Sequence, residues 1–126
     1  MDDFYKEQIL DHYKHPRNFG KLSKANAIAF DNLVSCGDKL SMELIIIDNI
    51  VKDIKFEGTG CAISMASASM LTGFVKEKNI SVLKSFGKDD ILKLLQIELS
   101  ATRLKCAMLS VEVLKKAINS RENDHC

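Results

Sequence analysis

The chain has 126 residues, of which 46% are hydrophobic and 28% charged, a balance typical of a globular domain and unlike that of a disordered or membrane protein. Its net charge of +1 excludes a strong electrostatic attraction to nucleic acid or to a membrane surface. No apolar run approaches the roughly 20 residues that span a bilayer, and the acidic start Asp2-Asp3 is unlike a signal peptide.

These features predict a cytoplasmic protein whose thiols stay reduced. In that compartment, separated cysteines indicate a metal site or catalysis more often than disulfides. A chain of this length buries roughly two thirds of its unfolded surface, so that folding does not require a metal. We predict one domain over residues 1–126, with a polar, disordered tail from about residue 120.

The first half of the chain predicts one helix and three strands. A helix over residues 3–13 ends at the turn around Pro16. Strands follow at residues 25–34, 39–47 and 50–57. Asp48-Asn49 joins the last two strands, as in an antiparallel hairpin. Apolar residues alternate along these two strands and give the sheet one face to bury: Leu40, Met42, Leu44, Ile46, Ile50, Ile54 and Phe56.

The second half predicts helices that cover this face. The segment 61–78 is rich in alanine and serine, which allows a helix to lie close to its neighbours, and a further helix is predicted at residues 88–98. The last helix is amphipathic, with apolar residues at helical spacing: Leu104, Ala107, Met108, Val111, Leu114 and Ile118. The predicted class is α+β, a three-stranded antiparallel sheet covered on one side by helices, with an N-terminal helix.

Three cysteines and one aspartate are the candidate functional residues. Cys36 precedes Gly37, whose backbone freedom brings Asp38 round toward the sulfur. Cys61 follows a Gly-x-Gly turn and opens a helix, and Cys106 is predicted in the first turn of another. A helix N-terminus favours the thiolate, the form that binds metal and attacks sulfur. Core packing explains one such cysteine but explains all three poorly.

Three thiolates and one carboxylate suit two kinds of site. Tetrahedral zinc is one, and an iron–sulfur cluster held less firmly at one corner is the other. A purely structural zinc site more often has paired C-x-x-C knuckles, which the chain lacks. Because Asp38 is the harder ligand, it is the ligand expected to exchange first.

The chain resembles the U-type iron–sulfur assembly scaffolds IscU, SufU and the N-terminal domain of NifU. The resemblance covers nearly the whole chain. It rests on Asp11-His12-Tyr13, His15-Pro16-Arg17-Asn18, Ser35-Cys36-Gly37-Asp38, Phe56-Glu57-Gly58-Thr59-Gly60-Cys61-Ala62-Ile63-Ser64, Ala66-Ser67-Ala68-Ser69-Met70 and Arg103-Leu104-Lys105-Cys106-Ala107.

The resemblance implies a scaffold, not an enzyme, that receives sulfur from a cysteine desulfurase, assembles a transient two-iron, two-sulfur cluster and passes it to acceptor proteins. It implies Cys36, Asp38, Cys61 and Cys106 as the cluster or zinc ligands. Cys106 corresponds to the persulfide acceptor of IscU-type members, whereas Cys36 or Cys61 does so in SufU-type members. Whether the chain forms a homodimer stays open.

The chain combines features of two family types. Lys105, where IscU members have histidine, is SufU-like, and we predict that Lys105 and Arg103 supply counter-charge to the site. The short span between Cys61 and Cys106 is IscU-like. The chain has Leu99-Ser100-Ala101-Thr102-Arg103 where IscU members present Leu-Pro-Pro-Val-Lys to a chaperone, so chaperone-assisted release is not expected.

The main alternative is a zinc-bound sulfur acceptor that takes persulfide from the desulfurase. Lys105 favours this alternative, and the short span favours the scaffold. For His12 and His15, contact with the desulfurase is favoured over metal ligation. Helix packing is the preferred explanation of Ser64 and its neighbouring serines, and the role of Cys126 stays open.

Overall fold

The computed structural model describes residues 3–34 and 37–123. In chain order the elements are α1 Asp3–Lys14, β1 Ala27–Leu33, β2 Asp38–Ile47, β3 Ile50–Thr59, α2 Ala62–Val75, α3 Ile80–Lys84, α4 Lys88–Leu95 and α5 Ala101–Asn123. The strands form one antiparallel sheet in the order β1-β2-β3. The predicted α+β class, the three-stranded sheet and the N-terminal helix are therefore confirmed.

Strict alternation along β2 places one face of the sheet in the core. Leu40, Met42 and Leu44 are fully or almost fully buried, and Met42 pairs with Phe56 of β3. The connection Asp48-Asn49 has positive φ at both residues, 54° and 65°, as in the two-residue turn that best fits the twist of a hairpin. The predicted hairpin is thus present, but an irregularity in its register buries Val51 at the start of β3, and not Ile50 as predicted.

The helices pack on that buried face. Helix α5 lies along β1 and contacts β2, while α2 lies between α1 and α5 and also contacts β3. Because α2 has neighbours on several sides, small side chains suit it, and Ala66, Ser67, Ala68 and Ser69 are all buried without exposure. On the opposite face of the sheet, Phe30 of β1 is exposed.

Several predicted boundaries were wrong. Helix α2 ends at Val75 and not at residue 78, because Glu77 has a positive φ of 67° and the backbone from Glu77 turns to pair with β3. Helix α4 ends at Leu95, where Gln96 takes the left-handed conformation. The five-residue α3 was not predicted.

The predicted single domain over residues 1–126 and its tail stay predictions. Helix α5 continues to Asn123, beyond residue 120, and residues 124–126, including Cys126, lie outside the described range. The disordered tail stays a prediction. Within the described residues, no helix combines the length and the apolar character that a membrane span requires.

Candidate metal centre

The candidate site lies at the end of the sheet opposite the hairpin turn. Strand β2 begins at Asp38, and β3 ends at Thr59, which pairs with the residue that follows Asp38. This register places Asp38 beside Gly60 and Cys61, which connect β3 to α2. The sheet therefore brings together two sequence motifs that lie more than twenty residues apart.

Asp38, Cys61 and Cys106 form a group that could hold a metal ion. One carboxylate oxygen and the two sulfur atoms all lie within 4.8 Å of one another. Asp38 is 1% exposed and Cys106 is 0% exposed, whereas Cys61 is partly exposed. Burying a carboxylate and a thiol in contact is costly unless something satisfies them. The arrangement thus suits a cation that is reached from the side of Cys61.

Cys61 is the N-cap of α2. Its φ and ψ of −72° and 168° are extended, and its Sγ accepts the backbone N–H of Ser64 at 3.5 Å. Burial raises the pKa of Cys61, and the charge of Asp38 adds to this, but the contacts of the sulfur with the Ser64 side chain, the Ser64 N–H and Cys106 lower it, and the net shift of the pKa is downward. The prediction that this thiol opens a helix and favours its thiolate agrees with these contacts.

Both oxygens of Asp38 are held by protein donors. The Cys61 N–H donates to Oδ1 at 3.1 Å, and the Ser64 hydroxyl donates to Oδ2 at 2.8 Å. Glycine is needed at position 60, because an added Cβ would lie 2.7 Å from Asp38 Oδ1 and 2.8 Å from Ser64 Oγ. The carboxylate is therefore fixed close to the two sulfurs, and each oxygen keeps a lone pair that a cation can use.

Cys106 reaches the site from the interior of α5. The helix begins at Ala101, so that Cys106 lies more than one turn inside it, and the predicted place in the first turn was wrong. The helix-terminus argument consequently applies to Cys61 and not to Cys106. Cys106 is brought to the site by the packing of α5 against α2 and β2.

The two predicted counter-charges occupy different places. Arg103 lies one turn before Cys106 and is exposed. The negative charge of the Cys61 thiolate raises the pKa of the Arg103 guanidinium, and Cys106 contributes less. Lys105 instead lines a neighbouring cavity of about 180 Å³, together with Asp31, Leu33, Met108 and Glu112. Counter-charge by either residue stays a prediction.

The fourth predicted ligand, Cys36, lies outside the described residues and stays a prediction. The predicted preference against histidine ligands concerns His12 and His15. His12 Nδ1 contacts the buried Ser69 hydroxyl at 2.7 Å, and neither histidine belongs to the metal-binding group found among residues 3–34 and 37–123. Burial lowers the pKa of His12, the charge of Arg17 lowers it further, and the charge of Asp11 opposes the shift.

Ser64 is the residue that sequence reasoning missed. It had been attributed to helix packing, yet its hydroxyl contacts both Asp38 and Cys61. Its place three residues after the N-cap Cys61 was the available signal, because that position faces the cap. Its partner Asp38, however, is distant in sequence.

The donor set fits a thiophilic metal. Two sulfurs and one oxygen, with Cys36 as a predicted third sulfur, match the ligands of tetrahedral zinc and of iron–sulfur clusters. The hard cations Mg²⁺ and Ca²⁺ prefer an all-oxygen set, which these residues do not supply.

Comparisons with known proteins agree with this chemistry. The zinc-dependent sulfurtransferase SufU of Bacillus subtilis is 38% identical over 139 aligned positions, which cover 97% of this chain and 94% of the relative. The iron–sulfur cluster assembly scaffold protein IscU of Haemophilus influenzae is 32% identical over 118 positions, covering 90% and 92% of the two chains.

A crystal structure of the N-terminal part of a nitrogen-fixing NifU-like protein from Brucella abortus has the same fold. Its TM-score is 0.79, with 20% identity over 97% of this chain and 96% of that one. The family model described as the NifU-like N terminal domain matches residues 4–125. This chain therefore belongs to the NifU-like N-terminal domain family, as the resemblance predicted.

Proposed function

We propose that this chain is a scaffold on which iron–sulfur clusters are assembled and from which they are handed over, with sulfur supplied by a cysteine desulfurase. The observation that carries the proposal is the group of Asp38, Cys61 and Cys106, whose ligand atoms lie within 4.8 Å of one another. A transient two-iron, two-sulfur cluster is the cargo, and Cys36, Asp38, Cys61 and Cys106 are its proposed ligands. Relatives named as assembly scaffolds support this reading.

The sulfur-accepting step requires an accessible thiolate. The thiolate attacks the outer sulfur of the desulfurase persulfide, a new S–S bond forms on this chain, and the electron pair of the broken bond stays on the desulfurase cysteine. Of the two described thiols, Cys61 is partly exposed and Cys106 is fully buried. Cys61 is therefore the more direct acceptor, whereas Cys106 requires its surroundings to open first. Cys36 is the third candidate.

The desulfurase and the acceptor proteins are the proposed partners, and we place the function in the cytoplasm, where thiols stay reduced. Helix α1 supports the desulfurase contact, because Leu10 and Tyr13 expose 48% and 43% of their surface although they are large apolar or aromatic residues. In this proposal the chain is a scaffold and not an enzyme.

The second candidate function is a zinc-bound sulfur acceptor. A specific observation favours it: the relative at 38% identity is named a zinc-dependent sulfurtransferase, and the chain shares with SufU-type members a lysine before the third cysteine. In this function, zinc would be held by the same four residues and would keep the thiolates ready for sulfur transfer.

Purification without oxygen, with metal and sulfide analysis and visible absorption, tests both functions. Iron and acid-labile sulfide, with a brown chromophore that moves to an acceptor protein lacking its cluster, are expected for the scaffold. Stoichiometric zinc, no cluster after reconstitution and strong stimulation of a desulfurase would overturn the scaffold in favour of the sulfur acceptor. A protein that binds neither iron nor zinc would contradict both functions.

A further inference from the structure

Ser64 is the third residue of helix α2, and its hydrogen bonds differ from those of the other buried serines of that helix. Its side chain is 2% exposed, although serine is a poor residue for a core. Ser69 contacts His12 of α1. Ser67 has a buried hydroxyl with no hydrogen-bond partner within the described residues. Only Ser64 among these three contacts the candidate metal ligands.

The hydroxyl of Ser64 bridges the oxygen ligand and one sulfur ligand. Its Oγ donates to Asp38 Oδ2 at 2.8 Å and lies 3.3 Å from Cys61 Sγ. A hydroxyl has one proton to donate, and the Asp38 carboxylate is a stronger acceptor than the Cys61 sulfur. The proton of Ser64 therefore lies in the shorter hydrogen bond, the one to Asp38. The Cys61 thiol can then donate to the Ser64 oxygen, so that one side chain fixes the spacing between oxygen and sulfur.

The remaining contacts of Asp38 make Ser64 decisive for its orientation. The Cys61 N–H holds Oδ1 at 3.1 Å, and the Cys61 thiol makes only a long contact of 3.9 Å with Oδ2, so that these two contacts fix the rotation of the carboxylate weakly. The Ser64 donation to Oδ2 removes the remaining freedom. Asp38 has no salt bridge among the described residues, so that no charged partner duplicates the contribution of Ser64.

We propose that Ser64 is a positioning residue that presents the Asp38 carboxylate to the bound metal or cluster. The inference rests on the proposed function and deepens it by naming what controls the oxygen ligand. Outer contacts of this kind hold a ligand at the metal without touching the metal. Since a carboxylate has about four lone pairs, Oδ2 can keep the Ser64 hydrogen bond while it binds a cation.

The test compares Ser64→Ala with Ser67→Ala, which removes an equally buried hydroxyl from the same helix. Zinc affinity is measured by competition with a chromophoric chelator, and Co²⁺ is used as a spectroscopic probe of the ligand geometry. Ser64→Ala is expected to weaken zinc binding about 10–100-fold and to change the cobalt ligand-field bands. Ser67→Ala should match the wild type, and Ser64→Thr, which keeps the hydroxyl, should restore most of the affinity.

The same measurement in an Asp38→Ala background separates positioning from a general loss of structure. If Ser64 acts through Asp38, adding Ser64→Ala to Asp38→Ala should change zinc affinity by less than about twofold. Thermal unfolding of each metal-free variant shows whether the fold is kept. If Ser64→Ala does not fold, Ser64→Val is compared with Ser64→Thr, because these two side chains have the same shape and differ in the hydroxyl.

Equal zinc affinity and equal cobalt spectra for Ser64→Ala and the wild type would overturn the inference and leave the proposed function standing. An undiminished effect of Ser64→Ala in the Asp38→Ala background would also overturn it. A wild-type protein that binds neither Zn²⁺ nor Co²⁺ would contradict the proposed function and the inference together.

Discussion

The two ends of the sheet satisfy their polar groups in opposite ways. At the hairpin end, backbone atoms pair with backbone atoms: Val51 N–H bonds to Lys78 C=O, Glu77 N–H to Val51 C=O and Ile80 N–H to Asn49 C=O, all within 3.0 Å. The opposite end carries the candidate metal centre and is called the metal end below. There a side chain is the acceptor: the carboxylate of Asp38 accepts hydrogen bonds from the Ser64 hydroxyl and from the Cys61 N–H.

The difference shows which end of the sheet satisfies its own polar groups and which end leaves polar groups available to a ligand. Backbone groups that are paired in this way satisfy one another and need no ligand. The metal end places a carboxylate and two sulfurs together with little but hydrogen bonds to offset their burial, and a cation is the natural counterpart of such a set. Substitutions at the two ends should therefore affect different measurements.

The largest expected effect is loss of metal binding in Cys61→Ser with the fold kept. Serine is among the best N-cap residues, so that α2 should keep its cap and the metal-free protein its unfolding temperature. Zinc affinity should fall by more than the roughly 100-fold that outer contacts contribute. Chelator competition and thermal unfolding measure the two quantities.

The matched control is Asn79→Ser at the hairpin end. Asn79 is the N-cap of α3, and its side chain accepts the N–H of Ser81. The exchange swaps one good cap for another and should leave zinc affinity unchanged. A Cys61→Ser protein that binds zinc as tightly as the Asn79→Ser protein would break the comparison between the two ends.

Gly60→Ala should affect both metal binding and stability. The added Cβ would come within 2.7 Å of Asp38 Oδ1, so that the carboxylate must move. We expect a loss of about 1–3 kcal/mol in the free energy of unfolding, together with weaker zinc binding. Denaturant unfolding and chelator competition check the two effects.

Gly73→Ala provides the comparison for that experiment. Gly73 lies inside α2, and an added Cβ there meets nothing within 4 Å. Alanine is the better helix former, and the substitution should stabilise the protein by about 0.5–1 kcal/mol without changing zinc affinity. Equal effects of Gly60→Ala and Gly73→Ala on stability and on zinc affinity would show that an added Cβ at position 60 does not displace the Asp38 carboxylate.

The hairpin of β2 and β3 was predictable from sequence because its determinants are local. Alternation at Leu40, Met42 and Leu44 set the buried face, and Asp48-Asn49 set the turn. The five residues of α3 are too few to show a periodic pattern, and its start depends on Asn79 pairing with β3. Tertiary contacts of this kind leave no trace in the local sequence.

The metal end was predictable in part. The residue types and turns identified Asp38, Cys61 and Cys106, which the structure brings together. The depth of Cys106 in α5 was misjudged, because the N-cap signal of Ser100 was overlooked: α5 begins at the next residue, and the Ser100 hydroxyl accepts the N–H of Arg103 at 3.3 Å. The role of Ser64 was missed because its acceptor Asp38 belongs to another element.

At the hairpin end, Asn49→Ala should lower stability and leave metal binding unchanged. Asn49 has a φ of 65°, a left-handed conformation that asparagine tolerates and alanine disfavours by about 1 kcal/mol. Asn49→Gly, which removes the strain, is the control and should be at least as stable as the wild type. A change in zinc affinity with Asn49→Ala would mean that the two ends are coupled.

The smallest effect concerns His12, whose ring lies on α1 and contacts Ser69 on the same helix that carries Ser64. Burial lowers the pKa of His12 from 6.5, so the folded state binds this proton less readily than the unfolded state. The stability that His12 contributes is present above pH 6.5 and falls as the pH drops below that value through the lowered pKa.

Chemical denaturation between pH 7.5 and about pH 5 checks this effect. His12→Asn, which keeps an acceptor for Ser69 but does not titrate, should lose part of the decline in the free energy of unfolding, whereas His15→Gln at an exposed position should keep it. If α1 is attached to α2 by a structural contact only, the zinc affinity of His12→Asn should equal that of the wild type at neutral pH. A weaker zinc affinity would show that the candidate metal centre depends on contacts as far along α2 as Ser69.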